Sequence, residues 1–452
     1  MPDNQYTINS PRATQIDKTN ERLREIRNVL ADSINVESPV FGFHIDYTES
    51  DPEDAVTYLK DAVGKTPAFM NFSNGTFNYG SWEDAFFMPR PCMLKYDGTV
   101  DYYLNPNNYA FKEDGVTASD VADTSYGGNA MMEWGRDGKK IWYKIVPDAT
   151  PEGVSIYVAD RQVDDDYVAW SFINNQGEWV DHFYTPIYNG TIVNDGTNDV
   201  LRSMSGLSWS TYGCKSKNAT QERTAARHNN DDDAIWDTEV YCDILLIEIL
   251  LTLMSKSLDS QTAFGKGLID SGNESVNNGF TTGVHNAKGL FYGTNGGAAN
   301  SYGNAVKVFG MENFWGFQWR RFGGLVNVNG TAKYKLTRGK QDGTTVDDYV
   351  IGTSASNYNG YKAGGSLPSA SGTYIDAMTW NKDMPTPKTA AGDSSHYYCD
   401  GLWTNNGQVD YAYRGGASGY GALCGLWFLN LGYAASAAAW HIGAAPSCKP
   451  LS

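Results

Sequence analysis

Apolar residues recur at Ile16, Leu23, Ile26, Leu30 and Ile34, one narrow stripe with Glu21, Arg22, Arg24, Glu25 and Arg27 beside it. The spacing predicts a polar helix over 12–33, suited equally to a short coiled coil and to a lone amphipathic helix on its own domain. Past Pro39 the period changes. Residues 40–46 alternate and predict a strand. Asp51-Pro52-Glu53-Asp54 predicts the start of a short helix carrying Val56, Leu59 and Val63 and stopping at Gly64, because proline and acids suit a first turn. Apolar runs at 88–94 and 100–106 flank Asp97-Gly98, the signal of a hairpin. Short aromatic pieces at 141–145, 155–158, 167–172 and 183–188 predict antiparallel strands. The clearest helix is expected over 237–255; apolar residues surround it on nearly every side, so it should be buried. Phe314, Trp315, Phe317 and Trp319 form a dense block whose first explanation is core packing, and Trp440 is a further candidate core anchor. Residues 327–371 are rich in Gly, Ser and Thr, which predicts loops or a small inserted hairpin.

These elements predict an α+β fold class. At 452 residues the chain exceeds a single ordinary core, so several domains are expected. They are a helix within 1–35 for oligomerisation or attachment, a small α+β domain at 36–150, and a larger domain at 151–452. Hydrophobic content of 41%, with 29 Tyr, 13 Trp and 18 Phe, argues a folded, aromatic-rich chain. A net charge of −17 speaks against nonspecific nucleic-acid binding and gives no support for docking on an anionic membrane. No charged-then-apolar leader is visible at the start, and no stretch reaches the ~18 apolar residues of a membrane span, so no membrane insertion is expected. The six cysteines lie far apart without a C-x-x-C pair, which favours free thiols in a protein made in a reducing cytosol.

The chemistry gathers in 411–446. Its framework is Arg414-Gly415-Gly416, Gly421, Gly425, Asn430-Leu431 and Trp440-His441-Ile442-Gly443, with small or apolar residues between. A loop-rich scaffold displaying apolar and aromatic side chains accounts for it; an ordinary C-terminal hairpin with a glycine-rich loop is the alternative. The segment resembles the C-terminal variable region of phage tail proteins with a C-type-lectin fold, the group diversified by diversity-generating retroelements. Ala417, Gly419, Tyr420, Leu423, Gly432, Tyr433, Ala437, Ala439 and His441 stand where such sequences usually carry Asn. Each is reached from an Asn codon by changing only adenines. The departure is Ala444-Ala445, where the family often has Ala-Arg. PRPCMLKYDGTVDYYLNP at 89–106, GNAMMEWGRDGKKIWYKI at 128–145, QERTAARHNN at 221–230 and LDSQTAFGKG at 258–267 resemble phage and prophage tail-associated proteins.

The resemblance implies a C-type-lectin-like domain over 151–452, a twisted antiparallel sheet with packed helices and display loops at 411–446. It also implies placement on a virion made in the bacterial cytoplasm, and a binding role. Residues 311–320 resemble a core segment of the formylglycine-generating branch of that fold. That branch works through a cysteine pair, and the matching positions here are Tyr420 and Gly425, so its chemistry is not expected. The six histidines show no HExxH spacing, and no G-x-S-x-G or P-loop occurs. No enzyme activity and no cofactor are therefore expected. One cation reading was open: His228 beside Asn229-Asn230-Asp231-Asp232-Asp233 offers hard oxygens to Ca²⁺, against a merely solvated acidic loop.

The expected function is a host receptor-binding adhesin of the phage tail, contacting a bacterial cell-surface protein or glycan through Tyr420, Leu423, Leu426, Phe428, Tyr433 and His441. Ala417 and Gly419 share the variable surface, and Ala437 and Ala439 leave room for the partner. Other virion proteins are expected partners, and a homotrimer would add avidity. The alternatives are a structural virion protein that uses the fold only for subunit contacts and, further off, a carbohydrate-cleaving tail enzyme.

Overall fold

The strand expected at 40–46 forms as Val40–Asp46 in a computed structural model of the chain, which describes residues 22, 38–150, 152–230, 235–270, 272, 274–296, 302–338 and 348–451. The chain divides into two compact units, residues 1–39 and 40–452. The helix expected over 12–33, and the trimerising role given to 1–35, lie outside the described residues apart from Arg22.

Within the second unit the α+β expectation is overturned. The protein is 36% strand and 14% helix, which makes it mainly β, with many antiparallel sheets. Part of the error is local. The short helix expected from Asp51 is instead a strand, Val56–Lys60, paired antiparallel with Val40–Asp46. Val56, Thr57 and Tyr58 are β-branched or aromatic, and a neighbouring strand edge rewards them more than one isolated helical turn would. The piece at 167–172 likewise forms a 3-10 turn, Trp170–Phe172, rather than a strand.

Three sheets carry the unit. In the four-stranded one, Val40–Asp46 lies between Val56–Lys60 and Gly153–Ala159, with Trp142–Pro147 at the far edge. The boundary expected at residue 150 falls in the hairpin between its last two strands, which pair with each other. The six-stranded sheet runs Trp236–Thr238, Pro446–Cys448, Phe183–Pro186, Gly128–Trp134, Arg90–Lys95 and Val100–Tyr103. It holds the hairpin announced by Asp97-Gly98 and joins strands from both sides of residue 150. The eight-stranded sheet orders Lys362–Ser366, Thr331–Tyr334, Trp319–Val328, Val409–Gly415, Gly425–Tyr433, Gly401–Thr404 and Ser371–Tyr374. Ile442–Gly443 adds a parallel partner to Trp319–Val328.

The helix expected over 237–255 forms as Tyr241–Ser255, and every residue of it except Ser255 is buried. Residues 236–238 join a strand instead, since Trp236, Asp237 and Thr238 pair with Pro446–Cys448. Tyr241 stacks on Phe322 of the large sheet at 5.7 Å, and the Met254 carbonyl at the other end accepts from the Ala68 N–H at 2.7 Å. The apolar helix therefore forms part of the core. Lys256, in the left-handed region at φ 53°, ends it. Among the described residues no helix is long and apolar enough to cross a membrane. All six cysteines are buried with free thiols.

A buried polar cluster sits beside the Lys307–Val308 and Met311–Glu312 hairpin. Lys307 Nζ donates to the His285 carbonyl at 3.0 Å and lies 3.7 Å from the Tyr109 ring centre. The His285 imidazole packs on Tyr292 at 4.5 Å, and among the described residues neither of its ring nitrogens has a hydrogen-bond partner. Burial, then the Lys307 charge, pushes its pKa down to about 4. An unfolded histidine titrates near ~6.5, so between these values the unfolded chain takes the proton first. Stability is then lost as pH falls from ~6.5 through about 4, by about 3 kcal/mol at most. In urea titrations across this window, His285→Gln should flatten the loss relative to the native chain. Identical slopes would contradict this assignment.

Candidate functional site

Trp319 opens the central strand Trp319–Val328, and its backbone N–H donates to the His441 carbonyl at 2.8 Å. Around its ring the large sheet and the loops at its end gather further aromatic side chains. Strand Gly401–Thr404 supplies Trp403 at 6.0 Å between ring centres, and Val409–Gly415 supplies Tyr413 at 6.4 Å. Gly425–Tyr433 supplies Phe428 at 6.3 Å and Tyr433 at 5.3 Å. Two loops complete the ring: Tyr420 stands 5.0 Å away and His441 4.7 Å, the latter edge-on at 87°. Trp319 is 1% exposed, whereas Tyr433 is 41% exposed and Tyr420, Trp403 and His441 are half-buried. The outcome is an aromatic cluster with a buried centre and an accessible rim.

The framework residues owe their identities to packing. Arg414 is 1% exposed; its guanidinium donates to the Phe314 carbonyl at 2.7 Å and to Glu239 Oε1 at 2.6 Å, and it lies 3.6 Å from the Phe314 ring centre. Arg320 reaches the same Glu239 oxygen at 3.3 Å. Gly415 has φ 81°, and a Cβ there would stand 2.6 Å from the Phe314 carbonyl oxygen. Gly416, at φ 74°, would place one 2.5 Å from Cys424 Sγ. Only glycine combines that backbone with that approach. The Arg-Gly-Gly start is thus a structural clasp beneath the display loops.

Backbone contacts hold the alanine-rich loop at 434–439. The Ala435 carbonyl accepts from the Ala219 N–H at 3.0 Å, and Ala437 N–H donates to the Ala434 carbonyl at 2.9 Å. Arg321 Nη2 donates to the Ala437 carbonyl at 2.6 Å, while Nη1 pairs with buried Glu222. The loop is therefore pinned chiefly through its backbone.

The sequence-chosen residues divide cleanly. Tyr420, Tyr433 and His441 meet at Trp319, and the half-buried Ala437 and Ala439 pack against the same cluster. Leu423 is half-buried, in the 3-10 turn Gly421–Leu423 that Tyr420 precedes. Gly419 is exposed with φ 88°, and a Cβ there would run into Gly272 Cα. Three residues cannot be contacts. Ala417 is 0% exposed and bridges Phe317, Leu426 is 2% exposed and Phe428 1%. Gly425–Tyr433 is an interior strand with both edges paired, and its residues are buried along most of its length. Phe428 supports Trp319 from beneath, and Leu426 N–H donates to Ser260 Oγ at 3.0 Å. Trp440 is no core anchor; it is half-buried with its ring 4.9 Å from His441.

The sequence pattern does not assign Trp403 and Tyr413 to the site, and it marks Trp319 only as core. Each lies on a different strand, so nothing local signals their convergence. The alternation of residues 411–413 could have hinted that Tyr411 and Tyr413 share one face.

Electrostatically the rim is quiet. Burial lowers the His441 pKa and so favours the neutral imidazole. Burial, with Tyr433 and Cys424 nearby, raises that of Tyr420. Among the described residues no three His, Cys, Asp or Glu side chains form a metal-binding group. Of the residues weighed for Ca²⁺, Asp231, Asp232 and Asp233 lie outside the described set. His228 Nδ1 meets the Asp199 carbonyl at 2.8 Å, and Asn229 Nδ2 donates to the Leu201 carbonyl at 2.8 Å. The arrangement offers ring faces, a neutral imidazole and a fixed small-residue loop, which suits binding. No family model matches the chain, and no curated protein matches it.

Proposed function

We propose that this protein is a phage virion component that attaches the particle to its bacterial host, reading a cell-surface receptor with the aromatic rim around Trp319. The observation that supports the reading is the convergence of Tyr420, Tyr433 and His441 on one partly exposed cluster. Rigid aromatic side chains provide large contact area at low entropic cost, which is why they dominate binding hot spots. The resemblance of 411–446 to diversified phage tail proteins supports the same role. The role is adhesion rather than turnover, and several copies on one particle would raise a weak single-site affinity. Saturating amounts of the purified chain should block adsorption of the phage that carries it. Undiminished adsorption, with the chain retained only by virion parts, would favour a structural role instead.

A further inference from the structure

We infer that the rim around Trp319 takes an uncharged sugar ring of the host surface. The inference rests on the attachment reading and names its ligand class. Three observations carry it.

The rings of the rim are set at angles to one another. Tyr433 is 41% exposed, and Trp403 stands at 85° to Tyr420 with 5.4 Å between ring centres. A pyranose carries a face of C–H groups that packs on such rings while its hydroxyls point outward. Specific sites combine apolar walls with a few placed polar groups in this manner.

Neither the rings gathered at Trp319 nor residues 434–439 include an Asp, Glu, Lys or Arg side chain. Residues 434–439 read AASAAA. Burial favours the neutral form of His441. The cation that reaches the loop, Arg321, is 2% exposed and committed to Glu222 and the Ala437 carbonyl. An acidic sugar or phosphate would call for an available arginine or lysine.

Polar atoms wait within the cluster. Among the described residues, Trp319 Nε1, on a side chain 1% exposed, has no hydrogen-bond partner, and neither has His441 Nδ1. A buried donor left unpaired is costly, so a partner there is favoured. Both atoms are shielded from solvent in the free chain; a sugar hydroxyl, which both donates and accepts, suits either one where a rim ring swings aside. A purely apolar ligand would leave both unmet.

The test is saturation-transfer NMR on the full chain with methyl glycosides of glucose, galactose, mannose, rhamnose and N-acetylglucosamine, and with sialic acid and choline as charged contrasts. At least one neutral glycoside should show transfer. Tyr433→Ala should weaken its binding about tenfold, the worth of one good aromatic contact. His441→Phe keeps a ring but removes the nitrogens, and should also weaken it; both changes lie at the partly exposed rim, so folding, checked by thermal unfolding, should persist. Transfer only to sialic acid or choline, transfer to none, or neutral-glycoside transfer unchanged in Tyr433→Ala would overturn the inference. Host cells that bind the chain while no glycoside does would refute this ligand class and leave the attachment reading standing. Absence of cell binding would remove the attachment reading itself.

Discussion

Replacing Arg414 by alanine is expected to destabilise the protein by ~3–5 kcal/mol, a large share of the ~5–15 kcal/mol that holds a typical domain together. Arg414 is buried, spans Phe314 and Glu239, and stands where the display loop leaves its strand. Without it, Glu239 keeps Arg320 as its remaining cation and the Phe314 carbonyl loses a donor. A buried carboxylate that loses half its compensation is far costlier than a surface pair that breaks. Arg414→Lys should rescue only part of the loss, because an ammonium lacks the planar fork that serves two acceptors in different directions. Urea unfolding checks this. An unchanged midpoint for Arg414→Ala would mean that the ion cluster does not hold the loops.

A chain ending at Asp400 is expected not to fold. It would lack Val409–Gly415 and Gly425–Tyr433, two interior strands of the eight-stranded sheet. It would also lose Pro446–Cys448, which sits between Trp236–Thr238 and Phe183–Pro186 in another sheet. Removing these opens two cores at once and leaves unpaired strand edges, which favour aggregation. The expected product is insoluble, or soluble without a cooperative unfolding transition. A soluble truncation that melts cooperatively would contradict this account of the fold. The C-terminal segment is therefore no detachable tip, and its binding role has to be probed by point substitutions.

The sequence made local features legible where local physics decides them. Asp97-Gly98 between apolar runs yields a hairpin because few other residues make that turn. The apolar surround of 241–255 can only be buried. What failed was long-range. Val56–Lys60 became a strand because Val40–Asp46 lies beside it, which nothing in 51–64 announces. The site shows the same division. Tyr420, Tyr433 and His441 were found by position in a pattern, yet pattern alone could not say that Ala417, Leu426 and Phe428 face inward. Trp319 stayed hidden because it belongs to an aromatic block whose other members, Phe314, Trp315 and Phe317, are plain core. Its function as the hub depends on strands and loops 84 to 122 residues further along the chain, from position 403 through 441.

The most direct measurement is binding of the fluorescently labelled full chain to host cells, native against a variant carrying Tyr420→Ala and Tyr433→Ala. Tyr433 is exposed and Tyr420 half-buried, so the variant should keep its circular dichroism and a cooperative melt. Its binding should drop about a hundredfold, two aromatic contacts at about tenfold each. A folded variant that binds host cells as well as the native chain would contradict the claim that the rim around Trp319 is the receptor-reading surface.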